Sequence, residues 1–315
     1  MKIILLESLA ISEEVLSGYA KKLEELGHEF TAYSKDTNED VQIERVKDAD
    51  VIMIANMSLS AKVIHASRNL KFINIAFTGF DHVDLDAAKA KNVAVSNASG
   101  YATNAVAELV IGNVISLLRN VPQVDKRCRD GLTKEGLVGN ELKGKTIGLI
   151  GSGAIGLRTA ALFRCFGCNI IAFDPFPRTD TPDYIELAGL EEVLRASDII
   201  TLHCPLNEGT KGLINKERIA LMKKRAILVN AARGPIVDSE ALAEALNNGE
   251  IAGAAIDVFE IEPPLDEDHV LLHSKNTIVT PHIAFASEES MELRAEIVFN
   301  SLFSWMNGKQ INKII

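Results

Sequence analysis

The chain is poor in cysteine, with four (Cys128, Cys165, Cys168 and Cys204) in 315 residues. That is too few to staple a chain of this length into a disulfide scaffold. It also lacks a long apolar run. The richest stretch, LVIGNVISLL at 109–118, is far shorter than the ~20 residues that cross a bilayer. The N-terminal MKIILLES has too short an apolar core for a secretory signal and suits a first strand. An excess of positive charge is missing as well: 33 Lys and Arg stand against 43 Asp and Glu, a net charge of −10. Such a surface repels phosphate backbones, so no nucleic-acid partner is expected, although a local Arg can still grip a small anion. These absences point to a cytoplasmic protein with no membrane partner.

What is present is an ordinary globular composition, 47% hydrophobic and 24% charged, in a chain long enough for two domains. Cys165 and Cys168 form a C-x-x-C, but no second Cys or His pair follows at zinc spacing. ALFRCFGCNI reads instead as a helix ending at Gly167 and passing into a strand, so no metal site is expected.

Strand-like and helix-like segments alternate throughout. KIILLE, HEFTAYS, DVIMIAN, LKFINIAF and VAVSNA are separated by amphipathic stretches. Their apolar runs are continuous rather than alternating, the pattern of a parallel sheet covered on both faces. Residues 1–99 therefore read as a doubly wound α/β unit. One long helical pattern follows, starting near Asn104 and fraying at Gly131. Then comes a second series of six strands: TIGLIG, NIIAFD, DIITLH, AILVNAA, AGAAIDVF and NTIVTP. After Pro281 only an amphipathic helical tail remains.

GSGAIG puts Gly151, Gly153 and Gly156 in G-x-G-x-x-G register, directly after a strand and opening a helix. Gly151 permits the tight turn, Gly153 a close approach to a pyrophosphate, and Gly156 the packing of helix on strand, while the helix N-terminus offers N–H groups to phosphate. Asp174 ends the next strand, where a carboxylate can accept from the ribose hydroxyls of NAD and repel the extra phosphate of NADP. NAD is therefore the expected cofactor.

In an open parallel sheet, ligands sit beyond the carboxyl ends of the strands. Three strands in succession end on ionisable groups: Arg233 after AILVNAA, Glu262 after GAAIDVF and His282 after NTIVTP. Each has a plain structural reading, as a surface cation, a loop acid and a capping ring. Together, beside a nucleotide loop, they suit hydride transfer coupled to proton transfer. His282 can donate the proton, Glu262 can orient the ring and favour its cationic form, and Arg233 can grip a carboxylate in bidentate fashion.

GLIGSGAIG, HCPLNEGTKGLI, LVNAARGPIVD, GAAIDVFEIEPP and TPHIAFAS together resemble the D-isomer-specific 2-hydroxyacid dehydrogenases, in family order and over essentially the whole chain. The resemblance implies a Rossmann dinucleotide-binding domain at 100–283, inserted into a flavodoxin-like substrate domain made of 1–99 and 284–315. It implies Arg233, Glu262 and His282 as the catalytic trio. The implied cofactor contacts are Thr103, Gly151, Gly153, Ala154, Ile155, Gly156, Asp174, His203, Cys204, Pro205, Thr210, Ala231, Arg233, Asp257 and His282. In FTGFDHVD, backbone N–H groups of Thr78 and Gly79 would hold the substrate carboxylate, with Arg233 and His282 completing the substrate contacts, while His82 reads as structural. The expected substrate is hydroxypyruvate or glyoxylate, with a D-lactate-type or other 2-oxo acid as the alternative. A non-catalytic NAD-sensing module of corepressor type is the competing class. Hinges are expected near 99–103 and 283–287, and the apolar helix at 104–118 is either a candidate surface for a homodimer or, equally, a packed core helix.

Overall fold

The computed structural model describes residues 1–262 and 265–315. The chain divides into two compact units, one made of 1–102 and 286–315, the other of 103–285.

The first unit alternates strand and helix: β1 (Lys2–Leu5), α1 (Glu13–Glu25), β2 (Glu29–Ala32), α2 (Glu39–Val46), β3 (Val51–Ile54), α3 (Ala61–Ala66), β4 (Phe72–Ile75), α4 (Leu85–Ala90) and β5 (Ala94–Asn97). The five strands are parallel in the order β2-β1-β3-β4-β5, the flavodoxin-like doubly wound arrangement. VIMI and FINI are buried along their whole length, because helices cover both faces. Helix starts follow local capping: Ser12 accepts from Val15 N–H at 3.3 Å and Asp84 from Ala87 N–H at 2.8 Å. The C-terminal helix, Glu288–Met306, opens on a reciprocal box between Ser287 and Ser290. Its apolar face supplies core to this unit, with Phe299 stacked on Tyr19 at 4.0 Å and Trp305 on Phe72 at 4.7 Å. Buried Asn74, inside β4, donates to the Val298 carbonyl at 2.8 Å and ties that helix to the sheet.

The second unit begins with α5 (Thr103–Leu118) and α6 (Val121–Arg129). It continues through β6 (Thr146–Ile150), α7 (Ala154–Cys165), β7 (Asn169–Phe173), β8 (Ile185–Leu187), α8 (Leu190–Ala196), β9 (Ile199–Leu202), α9 (Lys216–Ile219), β10 (Ile227–Asn230), α10 (Ser239–Asn248), β11 (Gly253–Ile256) and β12 (Thr277–Val279). Its parallel sheet runs β12-β11-β10-β9-β6-β7-β8. The strand order reverses at β6, so the switch point of this sheet lies between β6 and β9.

Two expectations need correction. The long helical pattern at 104–131 is two helices bent by 61°. Asn120 adopts left-handed backbone, with φ of 53°, and Pro122 stands in the first turn of α6, where a proline cannot continue an earlier helix but can begin a new one. The second sheet also has a seventh strand, β8, beyond the six read from apolar runs. It is three residues long on the sheet edge, and of IEL only Ile185 is buried, so it carries no continuous apolar signal. α5 buries Val106, Ala107, Val110, Ile111, Val114 and Leu118, which makes it a core helix of its own unit. Among the described residues, no single helix is long and apolar enough to cross a membrane.

Candidate active site

Six strands of the second sheet deliver candidate residues at or just beyond their carboxyl ends: β6 to Gly151, β7 to Asp174, β9 to His203, β10 to Arg233, β11 to Asp257 and β12 to His282. In sheet order, the glycine loop and Asp174 lie on one side of the switch point. The Arg233, Asp257 and His282 loops follow on the other.

The three glycines of the loop do different work. Gly151 has φ of 100°, and a Cβ there would lie 2.8 Å from the Cys204 nitrogen. A Cβ on Gly156 would lie 2.3 Å from the Gly151 carbonyl, so α7 presses on the turn only because that side chain is absent. A Cβ on Gly153 meets nothing within 4 Å, so the chain itself leaves room at that point. Gly153 is the N-cap of α7, and no side chain caps the helix. The N–H groups of Ala154, Ile155 and Gly156, the first three of the helix, therefore have no intrahelical acceptor. An open cradle with a helix dipole behind it fits a pyrophosphate. Asp174 Oδ2 accepts from Ser152 N–H at 2.7 Å and its hydroxyl at 3.0 Å, while Oδ1 accepts from Phe176 N–H at 2.9 Å. Burial pushes this carboxyl up, but those donors outweigh it and hold it below its ordinary value. It stays an anionic acceptor with room on Oδ1, which fits a ribose diol.

His203 follows β9 directly, and its Nε2 lies 3.0 Å from the Thr201 hydroxyl. Burial pushes the ring down to about 4, so it is neutral at pH 7. Burial likewise pushes the Cys204 thiol up to about 11, leaving it a small neutral wall residue. The Thr210 hydroxyl donates to the Pro205 carbonyl at 2.6 Å and closes that turn. Thr103 is the first residue of α5, and neighbouring Asn104 accepts from Arg158 of α7 at 2.9 Å.

The β10 loop is shaped by two residues that motif spacing does not expose. Buried Asn230 donates to the Arg233 carbonyl at 2.9 Å and accepts from Ala232 N–H at 3.1 Å, folding 231–233 into a fixed turn with Ala231 inside it. A Cβ on Gly234 would fall 1.9 Å from the carbonyl carbon of Phe259. Only glycine lets the Arg233 loop touch the loop that leads to Glu262. Next door, His282 Nδ1 stands 2.7 Å from Glu262 Oε2. An ionised carboxylate only accepts, so Nδ1 carries the hydrogen and Nε2 is the nitrogen that can exchange a proton. Phe285 meets the imidazole edge-on, with centroids 5.4 Å apart. Asp257 is 1% exposed. Burial pushes its carboxyl above the ordinary value, more than the donors from Thr280, Ile283 and Ala284 and the nearby His282 pull it down.

In the first unit, Thr78 and Gly79 follow β4. The Thr78 carbonyl accepts from buried Asn97 at 2.7 Å. Among the described residues, the N–H groups of Thr78 and Gly79 find no acceptor within the chain. The loop after β3 is held by buried Glu7, which accepts from Ala55 and Met57 N–H at 2.8 Å each. Among the described residues, no cluster of three or more His, Cys, Asp or Glu is placed to hold a metal.

The family model for the D-isomer specific 2-hydroxyacid dehydrogenase NAD binding domain matches residues 111–284, which takes in the glycine loop and all three ionisable strand ends. The chain belongs to the D-isomer-specific 2-hydroxyacid dehydrogenase family. This dehydrogenase is 40% identical over 276 residues to a glyoxylate reductase of Thermofilum pendens, covering 85% of this chain and 81% of that one. It is 39% identical over 266 residues to a hydroxypyruvate reductase of Thermotoga maritima, covering 83% and 86%. Among solved structures, an acyclic imino acid reductase, Bsp5, in complex with NADPH and D-Arg superposes with a TM-score of 0.92, at 29% identity and full coverage of both chains. The dehydrogenase is thus an NAD-dependent oxidoreductase with two parallel-sheet α/β domains.

Proposed function

We propose that this dehydrogenase interconverts glyoxylate or hydroxypyruvate with the corresponding 2-hydroxy acid, with His282 as general acid and base. The 2.7 Å contact between His282 Nδ1 and Glu262 carries the reading: it fixes the tautomer and aims Nε2 away from the carboxylate. Bound NADH supplies the hydride that reaches the carbonyl carbon. As charge develops on the carbonyl oxygen, His282 Nε2 delivers its proton there, and in the reverse direction it takes that proton back. Arg233 grips the substrate carboxylate and polarises the adjacent carbonyl, its turn held by Asn230. Among the described residues the N–H groups of Thr78 and Gly79 find no acceptor, which supports their assignment to a substrate carboxylate.

Around NAD, the N–H groups of Ala154 and Ile155 take the pyrophosphate and Asp174 the ribose. Thr103, His203, Cys204, Pro205, Thr210, Ala231 and Asp257 line the remainder. Residues 1–99 with 284–315 serve the substrate and 100–283 the cofactor. The two reductases at 39–40% identity support the substrate class. The low cysteine content and acidic surface support a cytoplasmic enzyme, taken here as a homodimer.

The test is a panel of 2-oxo acids, with glyoxylate, hydroxypyruvate and pyruvate foremost, assayed with NADH and with NADPH. NADH oxidation fastest with glyoxylate or hydroxypyruvate is expected. Fastest turnover of pyruvate moves the substrate class to the D-lactate type. NADH binding without turnover of any acid points to a sensing module instead.

A further inference from the structure

We infer that Asp257 is the positioning residue of the proton donor, its carboxylate and carbonyl together clamping the 280–284 turn so that His282 holds its place. This rests on the reading of His282 as general acid. His282 has φ of 56°, a left-handed backbone that non-glycine residues adopt only where their surroundings impose it. Asp257 supplies most of the contacts that impose it, beside a 3.0 Å contact from His282 N–H to the Thr280 carbonyl. The Asp257 carbonyl accepts from His282 N–H at 2.7 Å. Its Oδ1 accepts from the Thr280 hydroxyl at 2.5 Å and Ile283 N–H at 2.9 Å, and its Oδ2 from Ala284 N–H at 2.8 Å. Pro281 has no N–H to offer. Every N–H from 281 to 284, and the hydroxyl of 280, therefore ends on Asp257.

The two acids near His282 divide the task. Glu262 is 51% exposed in its side chain and holds the ring. Asp257 is buried and holds the backbone that carries the ring. An amide would not replace it: Asn offers one acceptor oxygen, and its NH₂ would face N–H donors. A buried carboxylate is costly unless hydrogen-bonded, and here the donors all come from the turn it fixes. Oδ2 keeps one acceptor site, so this role is compatible with a cofactor contact by the same side chain.

The experiment compares the wild type, Asp257→Asn and Thr280→Val, each alone and combined with His282→Ala. The assay uses NADH with whichever 2-oxo acid the wild type turns over fastest. NADH affinity is followed by fluorescence titration, and His282 backbone shifts by NMR on ¹³C,¹⁵N-labelled protein. Asp257→Asn is expected to lower kcat on the order of 10²-fold. NADH affinity, read alongside because Asp257 is also assigned to the cofactor, should fall less than kcat does, and the His282 Cα and Cβ shifts should leave their left-handed values. In the His282→Ala background, the same substitution should change residual kcat by less than about twofold, because its effect passes through the missing ring. Thr280→Val removes one donor and should cost about fivefold in kcat. If Asp257→Asn does not fold, Thr280→Val decides by the same readouts. Unchanged His282 shifts, or an equal loss of kcat with and without the His282 ring, overturn the inference. Full kcat in His282→Ala overturns the general-acid reading instead, and the NMR shifts then still judge the clamp.

Discussion

The two halves of the seven-stranded sheet solve different problems with different materials. On the β6–β7 side, an open cradle is left by what is missing: two glycines that let backbone meet backbone, a third that leaves space, and an uncapped helix end. On the β10–β12 side stand ionisable side chains, each fixed by a neighbour: Arg233 by the Asn230 turn, His282 by Glu262 and Asp257. Phosphate needs N–H groups at close range, which backbone supplies without titrating. Proton transfer needs a group that titrates, and such a group must be held in place by others. The carboxylates show the same division. Donors from Ser152 and Phe176 win over burial at Asp174, whereas burial wins over the turn's donors at Asp257.

Breaking the chemical half should have the largest effect. His282→Ala is expected to lower kcat by ~10²–10⁴-fold with NADH affinity unchanged in fluorescence titration. If both fall together, the halves are not separable. Next come the glycines, which distinguish packing from binding. Gly234→Ala forces a Cβ into the Phe259 backbone and should lower stability by about 1–3 kcal/mol in urea unfolding. Gly153→Val enters open space, so the same unfolding midpoint should barely move while NADH affinity falls about tenfold, or ~1.4 kcal/mol. A large loss of stability in Gly153→Val would place that glycine with the packing ones.

A smaller effect is expected at Asp174. Asp174→Ala should lower the preference for NAD over NADP about tenfold in paired kcat/KM measurements; an unmoved ratio removes the ribose assignment. The smallest is a pH effect at the same residue. Asp174 has its folded pKa held below the unfolded value. Its stabilisation is therefore fully present above the unfolded pKa, about 3.9, and is lost as pH falls through the lower folded value. The Tm gap between wild type and Asp174→Asn should be constant at neutral pH and close progressively below about pH 4. A gap that persists in acid would mean the carboxylate charge contributes nothing there.

Elements with a local cause were legible in the sequence. A continuous apolar run such as VIMI, bounded by polar residues and short for a helix, reads as a covered strand, and the glycine spacing can only be judged by the strand before it and the helix after it. Elements whose cause is distant were not legible. β8 exists because β7 offers it an edge, and α5 ends because Asn120 turns left-handed before Pro122. At the candidate site, His282 and Glu262 stood out as ionisable groups after strands, but Asn230, Gly234 and Thr280 did not. Their significance is a contact with a residue remote in sequence or a turn closed upon another strand's end.

The sequence by itself determined the alternation of strands and helices, the family, the cofactor class and which ionisable residues follow the strands, because periodicity, glycine spacing and side-chain chemistry are properties of short segments. Only the tertiary structure decided which nitrogen of His282 faces Glu262, why its backbone sits left-handed, and where each buried donor ends. Those are distances of a few ångströms between segments some twenty residues apart or more, and they come into being only when parallel strands bring their carboxyl ends to one edge.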